Sequence, residues 1–209
     1  METPRVSTLI ASDLAVVRGG RAVFRRLGFR LSAGEVLSLE GPNGAGKTSL
    51  LRVLAGFLPA FAGRIELILS DDSRLDGDER ARLVGWLGHQ DGIKPNLSVL
   101  ENLSFYARLY GQTGADLRGL LEEVGLTRAR DLPGQYLSAG MRRRLALARL
   151  ILSHRPVWLL DEPLAALDVR GKAMVGNFVT AHCRNGGLVI AATHEALGLD
   201  CARLELGAP

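Results

Sequence analysis

Lysine is the scarcest charged residue in this chain of 209 residues, because only Lys47, Lys94 and Lys172 occur among its 26 basic residues. The formal net charge of 26 − 22 = +4 is too small to argue for a nucleic-acid partner by itself. Apolar residues make up 47% and charged residues 23% of the chain, which is ordinary for a globular protein. The composition therefore excludes a disordered chain, a fibrous repeat and a disulfide scaffold.

Cysteine and long apolar runs are also lacking. Cys183 and Cys201 lie far apart without C-x-x-C or metal-ligand spacing, so we expect reduced structural thiols in a reducing compartment. No segment approaches the roughly 18 uninterrupted apolar residues of a membrane span; Leu145–Leu152 comes nearest and contains Arg149. Charged residues interrupt the N-terminal apolar positions, so no signal peptide is expected. We expect a chain that does not cross a membrane unaided.

Strand-like and helix-like segments alternate along the chain, which predicts an α/β domain. A helical pattern follows from Lys47, with Gly56 as its predicted end. The predicted strands are Leu9–Val17, Val23–Leu31, Glu35–Glu40, Arg64–Ser70, Leu83–Gln90, Pro156–Glu162 and Gly187–His194.

The middle of the chain has a different pattern. From about Asp91 to Leu137 the apolar residues recur at helical spacing, and glycines punctuate the segment without a predicted strand. We therefore predict one domain over 1–209, whose core comprises 1–90 and 138–209 and whose helical lobe comprises about 91–137. The chain contains no internal repeat and no low-complexity segment.

The segment GPNGAGKT (Gly41–Thr48) matches G-x-x-x-x-G-K-[ST] between a predicted strand and a predicted helix. Glycines allow backbone N–H groups to converge on phosphate oxygens, and the helix N-terminus adds partial positive charge. We expect Lys47 to contact the β- and γ-phosphates of ATP and the Thr48 hydroxyl to bind Mg²⁺. The predicted nucleotide-binding residues of this loop are Gly41, Pro42, Asn43, Gly44, Ala45, Gly46, Lys47, Thr48 and Ser49.

Three further strand ends carry polar side chains. VWLLDEP (Val157–Pro163) ends in Asp161, predicted to reach the Mg²⁺ site through coordinated water, and Glu162, predicted to polarise the attacking water as general base. His194 ends the predicted strand in VIAATH and is a candidate contact of the γ-phosphate or the attacking water. Gln90 ends a third strand and is a candidate contact of Mg²⁺ and water.

LSAGMRRRLALARLI (Leu137–Ile151) resembles the LSGGQ signature of ATP-binding cassette (ABC) proteins, and LAALD (Leu164–Asp168) resembles their D-loop. With the phosphate loop, the acidic strand and His194, five motifs stand in that family's order. The resemblance implies a P-loop cassette with a mixed or parallel sheet core, an N-terminal antiparallel part and an inserted helical lobe. It further implies an ATPase that closes as a head-to-tail homodimer, with Ser138 and Gly140 contacting the γ-phosphate in trans.

The chain departs from the family pattern at three positions. Ala139 and Met141 replace the usual Gly and Gln of the signature, and Met141 has no side-chain hydrogen-bond donor. Arg18 stands where the family places an adenine-stacking aromatic; its guanidinium can stack on a base or be a solvated side chain. The run Arg142–Arg144 is interpreted as a solvated helix face near phosphates rather than as a nucleic-acid site.

Within the family, the chain resembles the ATP-binding subunits that serve the haem exporter-like complexes of c-type cytochrome maturation. GHQDGIK is the most distinctive of the resembling stretches, and LSAG with alanine fits the same group. The resemblance implies a CcmB-like integral membrane subunit, other cytochrome c maturation proteins and a place at the cytoplasmic face of a bacterial inner membrane. ATP hydrolysis would drive release of a haem-loaded chaperone, with no direct haem binding and no nucleic acid.

Three alternatives stay open on the sequence. An ABC exporter of drugs or lipids would differ only in its membrane partner and cargo. A non-transport ABC protein of DNA repair or translation usually carries two cassettes or a long coiled coil, and neither is present. A P-loop kinase would leave the signature and D-loop motifs unexplained.

Overall fold

The computed structural model describes residues 4–207. The strands of these residues are β1 (Val6–Arg18), β2 (Arg21–Ser32), β3 (Val36–Glu40), β4 (Ala62–Leu69), β5 (Arg74–Leu75), β6 (Val84–Leu87), β7 (Val157–Asp161), β8 (Leu188–Ala192) and β9 (Ala202–Glu205). The α-helices are α1 (Lys47–Leu54), α2 (Gly77–Ala81), α3 (Val99–Leu109), α4 (Leu117–Glu123), α5 (Ala139–Leu152) and α6 (Val169–Arg184). Two single 3₁₀ turns lie at Thr127–Ala129 and Gly134–Tyr136.

The first sheet is antiparallel and has the spatial order β2-β1-β4-β5. A two-residue turn at Gly19–Gly20, with φ of 55° and 76°, joins β1 to β2. Positive φ at both residues matches the right-handed twist of the strands, and glycine adopts it without a Cβ clash. The turn places Arg18 opposite Arg21 at the end of the hairpin.

The second sheet is parallel throughout and has the order β6-β7-β8-β3-β9. Strands β7 and β8 are buried along their whole length, because helices cover both faces of the sheet. Helix α1 packs with the antiparallel sheet on one face, whereas α5 and α6 cover the other. Polar residues that follow these strands therefore meet at one edge, which is where ligands bind in such sheets.

The helical lobe begins with α3, whose N-cap Ser98 forms a reciprocal capping box with Glu101. Asn102 is buried; its amide nitrogen donates to the carbonyls of Lys94, Leu97 and Ser98, while its oxygen accepts from Lys94 N. This amide holds the loop that leads into the lobe. The lobe's apolar cluster contains residues of α3, α4 and also α5, so α5 packs against both the lobe and the core.

The ABC-type α/β fold predicted from the sequence is confirmed, with a parallel core sheet and a separate antiparallel sheet. The division into a core of 1–90 and 138–209 and a lobe of about 91–137 stays a prediction. Within residues 4–207, no helix combines the length and apolarity needed to cross a bilayer.

The sequence prediction of the strands is wrong at the end of β6 and in lacking β5 and β9. The strand expected over Leu83–Gln90 ends at Leu87, since the Gly88 carbonyl accepts from Arg143 Nη1 and the chain leaves the β-ladder there. Gln90 therefore does not end a strand. Strand β9 has no apolar run in its residues ARLE that would predict it, and it adds to β3 as a sheet edge.

Candidate functional site

The phosphate loop connects β3 to α1 and requires glycine at two positions for two reasons. Gly41 has φ of 132° and Gly46 has φ of 103°, which L side chains rarely adopt. A Cβ at Gly41 would lie 2.3 Å from the Leu206 carbonyl oxygen, and one at Gly46 would lie 2.4 Å from Val23 Cγ1. The loop is thus closely packed against β2 and the end of β9, which holds its backbone in place.

Lys47 is the first residue of α1, and only 8% of it is exposed. Its Nζ donates to the carbonyl oxygens of Gly41 at 2.6 Å and Pro42 at 3.1 Å. The ammonium therefore lies against carbonyls of its own loop. It belongs to the first turn of a helix, where backbone N–H groups have no intrahelical partner. Full and partial positive charge coincide there, as an anion site requires.

Thr48 and Asp161, 113 residues apart in sequence, are in contact. Thr48 Oγ1 lies 3.1 Å from both Asp161 carboxylate oxygens, so its hydroxyl proton is shared between them. Asp161 is the last residue of β7 and is 3% exposed. His89 approaches the same carboxylate, with Nδ1 4.0 Å from Asp161 Oδ2.

Glu162 lies just beyond β7, and its backbone is left-handed with φ of 50°. Its N–H donates to the Ala192 carbonyl at 2.8 Å, which ties it to the end of β8. Its Oε1 lies 3.4 Å from His194 Nε2, and the side chains are 24% and 52% exposed. A half-buried carboxylate and an imidazole thus form a pair open to the same cavity.

Most of the predicted site residues line one cavity of about 490 Å³, whereas Gly41, Pro42, Ala45, Gln90, Ser138 and Gly140 are outside its lining. Arg18 reaches it from the β1–β2 hairpin, opposite the phosphate loop. The residues that line this cavity are Arg18, Val23, Asn43, Gly44, Gly46, Lys47, Thr48, Ser49, His89, Asp161, Glu162 and His194.

The phosphate-loop cavity is lined by His89 and not by its neighbour Gln90. Gln90 instead lines a neighbouring cavity of about 620 Å³ together with Glu162 and Ala139, at the start of α5. Both residues lie in irregular backbone after β6, where strand alternation no longer dictates side-chain direction. No signal in the sequence distinguishes which of two adjacent residues turns toward the phosphate loop. The role expected for Gln90 stays a prediction.

The signature segment forms the first turn of α5. Ser138 is its N-cap and accepts a hydrogen bond from Met141 N at 3.2 Å. The Met141 side chain packs against the apolar cluster of the lobe, which accounts for an apolar residue there. A Cβ at Gly140 would lie 2.9 Å from the Ala166 carbonyl oxygen, so the helix closely approaches the D-loop-like turn. Ser138 and Gly140 do not line the phosphate-loop cavity.

The interpretation of Arg142–Arg144 as a solvated face is wrong for its central residue. Arg143 is 5% exposed and donates to backbone carbonyls at the ends of β6 and β7. Burial lowers the pKa of its guanidinium, and the carboxylates of Asp91, Asp161 and Glu162 oppose that shift. Helical periodicity could have signalled this burial, because Arg143 precedes Leu147 by four residues on the core-facing side.

Comparison with known proteins adds the family. Residues 24–165 match the family described as ABC transporter. A "Cytochrome c biogenesis ATP-binding export protein CcmA" of Rhodopseudomonas palustris (strain BisB5) is 50% identical over 204 residues, covering 96% of this chain and 98% of that protein. The protein of the same name from Bradyrhizobium diazoefficiens is 50% identical over 191 residues, covering 91% and 94%.

Two solved structures show the fold alone. The cbiO1 protein of Clostridium perfringens, part of the ABC transporter complex cbiONQ, has a TM-score of 0.74 and 24% identity, covering 92% of this chain and 80% of that one. A bacterial Atm1-family ABC exporter with ATP bound has a TM-score of 0.81 and 21% identity, covering 98% of this chain and 38% of that one.

Proposed function

Because this chain belongs to the ABC transporter family, within the group of ATP-binding export proteins called CcmA, we propose that its ATP hydrolysis serves cytochrome c biogenesis. It is an ATP-hydrolysing ABC subunit. The structural observation that carries the proposal is the contact between Thr48 and Asp161, which joins the phosphate loop to the acidic strand. The similarity to the CcmA relatives connects this ATPase site to cytochrome c biogenesis.

ATP binding is supported by the phosphate loop. The Lys47 ammonium, which lies against carbonyls of its own loop, can exchange them for the β- and γ-phosphate oxygens. The backbone N–H groups of Gly44–Ser49 supply further donors at the start of α1. Arg18 lies at the other side of the cavity, where its guanidinium can stack on the adenine.

A magnesium ion fits the residues that are present. Thr48 Oγ1 and the Asp161 carboxylate offer adjacent oxygen donors, which Mg²⁺ prefers, and Asp161 is buried in a contact that keeps it in place. When bound, the ion would neutralise charge on the β- and γ-phosphates. Gln90 is a further candidate contact of Mg²⁺ and water, although it lies in the adjoining cavity.

Hydrolysis is proposed to use Glu162 as general base. Its carboxylate accepts a proton from a water that attacks the γ-phosphorus, the bond to the β-phosphate oxygen breaks, and ADP and inorganic phosphate leave. His194, next to the carboxylate, can donate to a γ-phosphate oxygen or hold the same water. Gln90 lies beside Glu162 at the entrance to the lobe and is proposed to link nucleotide state to lobe position.

A second copy of the chain is proposed to complete the site. Ser138 and Gly140 lie away from the phosphate loop of their own chain, at the start of α5. In a head-to-tail dimer their N–H groups and the Ser138 hydroxyl would meet the γ-phosphate of the partner's ATP. The side chain of Met141 takes no part in this, since it packs into the lobe.

The CcmA relatives imply a transporter with a membrane partner. We propose a CcmB-like integral membrane subunit, together with other cytochrome c maturation proteins, at the cytoplasmic face of a bacterial inner membrane. ATP-driven closure and opening of the dimer would power release of haem-loaded chaperone. In this proposal, the chain itself binds neither nucleic acid nor haem.

Affinity capture from detergent-solubilised bacterial membranes tests the partner. We expect a CcmB-like membrane protein to be recovered with the tagged chain. We also expect haem staining to show that c-type cytochromes are lost when the gene for this chain is deleted and are restored by the wild-type gene. Recovery of a drug- or lipid-exporter membrane subunit, with unchanged cytochromes, would refute the assignment. The Glu162→Gln chain is the control for ATP dependence: it should still capture the partner but fail to restore cytochromes.

A further inference from the structure

The Arg143 side chain connects α5 to two segments around the proposed general base. Nη2 donates to the carbonyl oxygens of Asp161 at 2.6 Å and Glu162 at 2.7 Å. Nη1 donates to the Gly88 carbonyl at 2.7 Å and reaches Asp91 Oδ1 at 3.3 Å. One guanidinium thus joins the ends of two neighbouring strands to the signature helix.

The backbone of Glu162 needs such support. Its left-handed conformation is unfavourable for a residue with a Cβ, and it lies beyond the regular pairing of β7. The neighbouring main chain contributes Ala165 N, which donates to the Glu162 carbonyl at 3.1 Å. Among the described residues, Arg143 is the side chain that donates to this carbonyl. Loss of the Arg143 donor would leave the Glu162 carbonyl with the hydrogen bond from Ala165 N alone.

Packing alone does not explain an arginine at this place. Removing a guanidinium from water is costly unless its donors are satisfied, and an apolar side chain could fill the space between α5 and β7. Here the donors are used on backbone carbonyls at the site. The guanidinium therefore stabilises one particular arrangement of those carbonyls, which an apolar side chain of similar size would not do.

The helix that carries Arg143 is shared by two apolar clusters. Leu147 and Leu150 pack into the core against β7, whereas Leu145 and Leu152 pack into the lobe. Arg143 lies in the part of α5 between the N-cap Ser138 and these leucines. The Arg143 side chain therefore connects the position of α5 to the Glu162 backbone by hydrogen bonds, in addition to the apolar packing of α5 on β7.

We propose that Arg143 is a positioning residue for ATP hydrolysis, which holds the backbone of Glu162 so that its carboxylate faces the γ-phosphate. The proposal rests on the role of Glu162 as general base. Lysine at position 143 keeps the charge but cannot serve two separate strand ends with a planar fork.

Steady-state and single-turnover ATPase assays on the purified chain test this with Arg143→Lys. We expect kcat to fall roughly 10- to 100-fold, as for a misplacement of about 1 Å. KM for ATP should change less than about three-fold, since the phosphate loop is not altered. A rise in KM with unchanged kcat would overturn the proposal.

A double-mutant cycle separates positioning from a general structural effect. If Arg143 acts through the Glu162 carboxylate, Arg143→Lys should lower the residual rate of Glu162→Gln by less than about two-fold. A further loss as large as in the wild-type background would show an independent role and overturn the proposal. Failure of Glu162→Gln alone to slow hydrolysis would instead refute the general-base assignment.

Arg149→Lys is the matched control. Arg149 lies on the same helix, and its Nη2 donates to the Trp86 carbonyl at 3.3 Å, outside the site. Its kcat should stay within about two-fold of wild type. ATP binding and thermal unfolding verify that the Arg143 variant is folded; should the lysine variant not fold, Arg143→Gln provides the same comparison.

Discussion

Replacing Glu162 by glutamine changes the proposed base and little else. Glutamine has the same shape, keeps a polar atom toward His194 and leaves the backbone bond to Ala192 intact. ATP affinity should therefore change by less than about three-fold, because the phosphate loop and the Thr48–Asp161 contact are unaffected.

The expected loss of rate follows from what else lines the cavity. Of the described residues in that lining, Asp161 is the other carboxylate, and Thr48 Oγ1 is in contact with both of its oxygens. No second carboxylate is thus available to accept the proton. A general base contributes roughly 10²–10⁴-fold, or about 3–5 kcal/mol of the barrier. We expect kcat to fall by at least the lower of these factors.

Phosphate release under steady-state conditions measures kcat, and equilibrium binding of ATP measures affinity. Light scattering after gel filtration should show an ATP-dependent dimer that persists in Glu162→Gln and is transient in the wild type. Glu195→Gln is the control, because Glu195 neighbours His194 in sequence but pairs with Lys172 outside the cavity. Wild-type hydrolysis by Glu162→Gln, or equal losses in both variants, would refute the reasoning.

Three further predictions concern binding and stability. Lys47→Ala removes charge-assisted bonds worth about 1.5–3 kcal/mol, so calorimetry should show ATP affinity roughly 10- to 100-fold weaker; unchanged affinity would exclude the phosphate contact. Gly46→Ala places a Cβ against Val23 at a φ of 103°, so urea unfolding should show it destabilised by more than the about 1–3 kcal/mol of backbone strain alone. Gly44→Ala places its Cβ in open space. Its free energy of unfolding should therefore fall only by the cost of the backbone strain. Burial lowers the pKa of His182 to about 4, so the unfolded chain binds the extra proton and stability falls as the pH drops from about 6.5 toward 4. Urea unfolding at pH 7 and pH 5 should differ by about 2 kcal/mol; His182→Phe should remove this difference, and an equal difference in the variant would contradict the cause.

Local motifs could be predicted well because their chemistry depends on neighbouring backbone. The phosphate loop needs glycines at fixed offsets and a lysine at the start of a helix, and all of these lie within eight residues, Gly41–Thr48. Apolar runs ending in Asp161 and before His194 predicted strand ends at one sheet edge in the same way. The helical lobe expected between about 91 and 137 stays a prediction from spacing along the chain.

Contacts between distant segments could not be predicted to the residue. His89, rather than Gln90, points toward the phosphate loop because the backbone leaves the β-ladder at Gly88. Strand periodicity does not predict side-chain direction in such irregular backbone. Strand β9 forms because β3 offers a free edge, not because its own residues favour a strand.

The sequence by itself determined the class of chemistry, since local rules dictate the residues that are expected to bind phosphate, the two carboxylates and the N-cap of α5. Only the tertiary structure decided how they act together. It brings Thr48 within 3.1 Å of Asp161 across 113 residues, and it buries Arg143 where a basic run predicted a solvated face. The physical reason is that a buried guanidinium is stable only where distant backbone carbonyls converge, and such convergence exists only after the chain has folded.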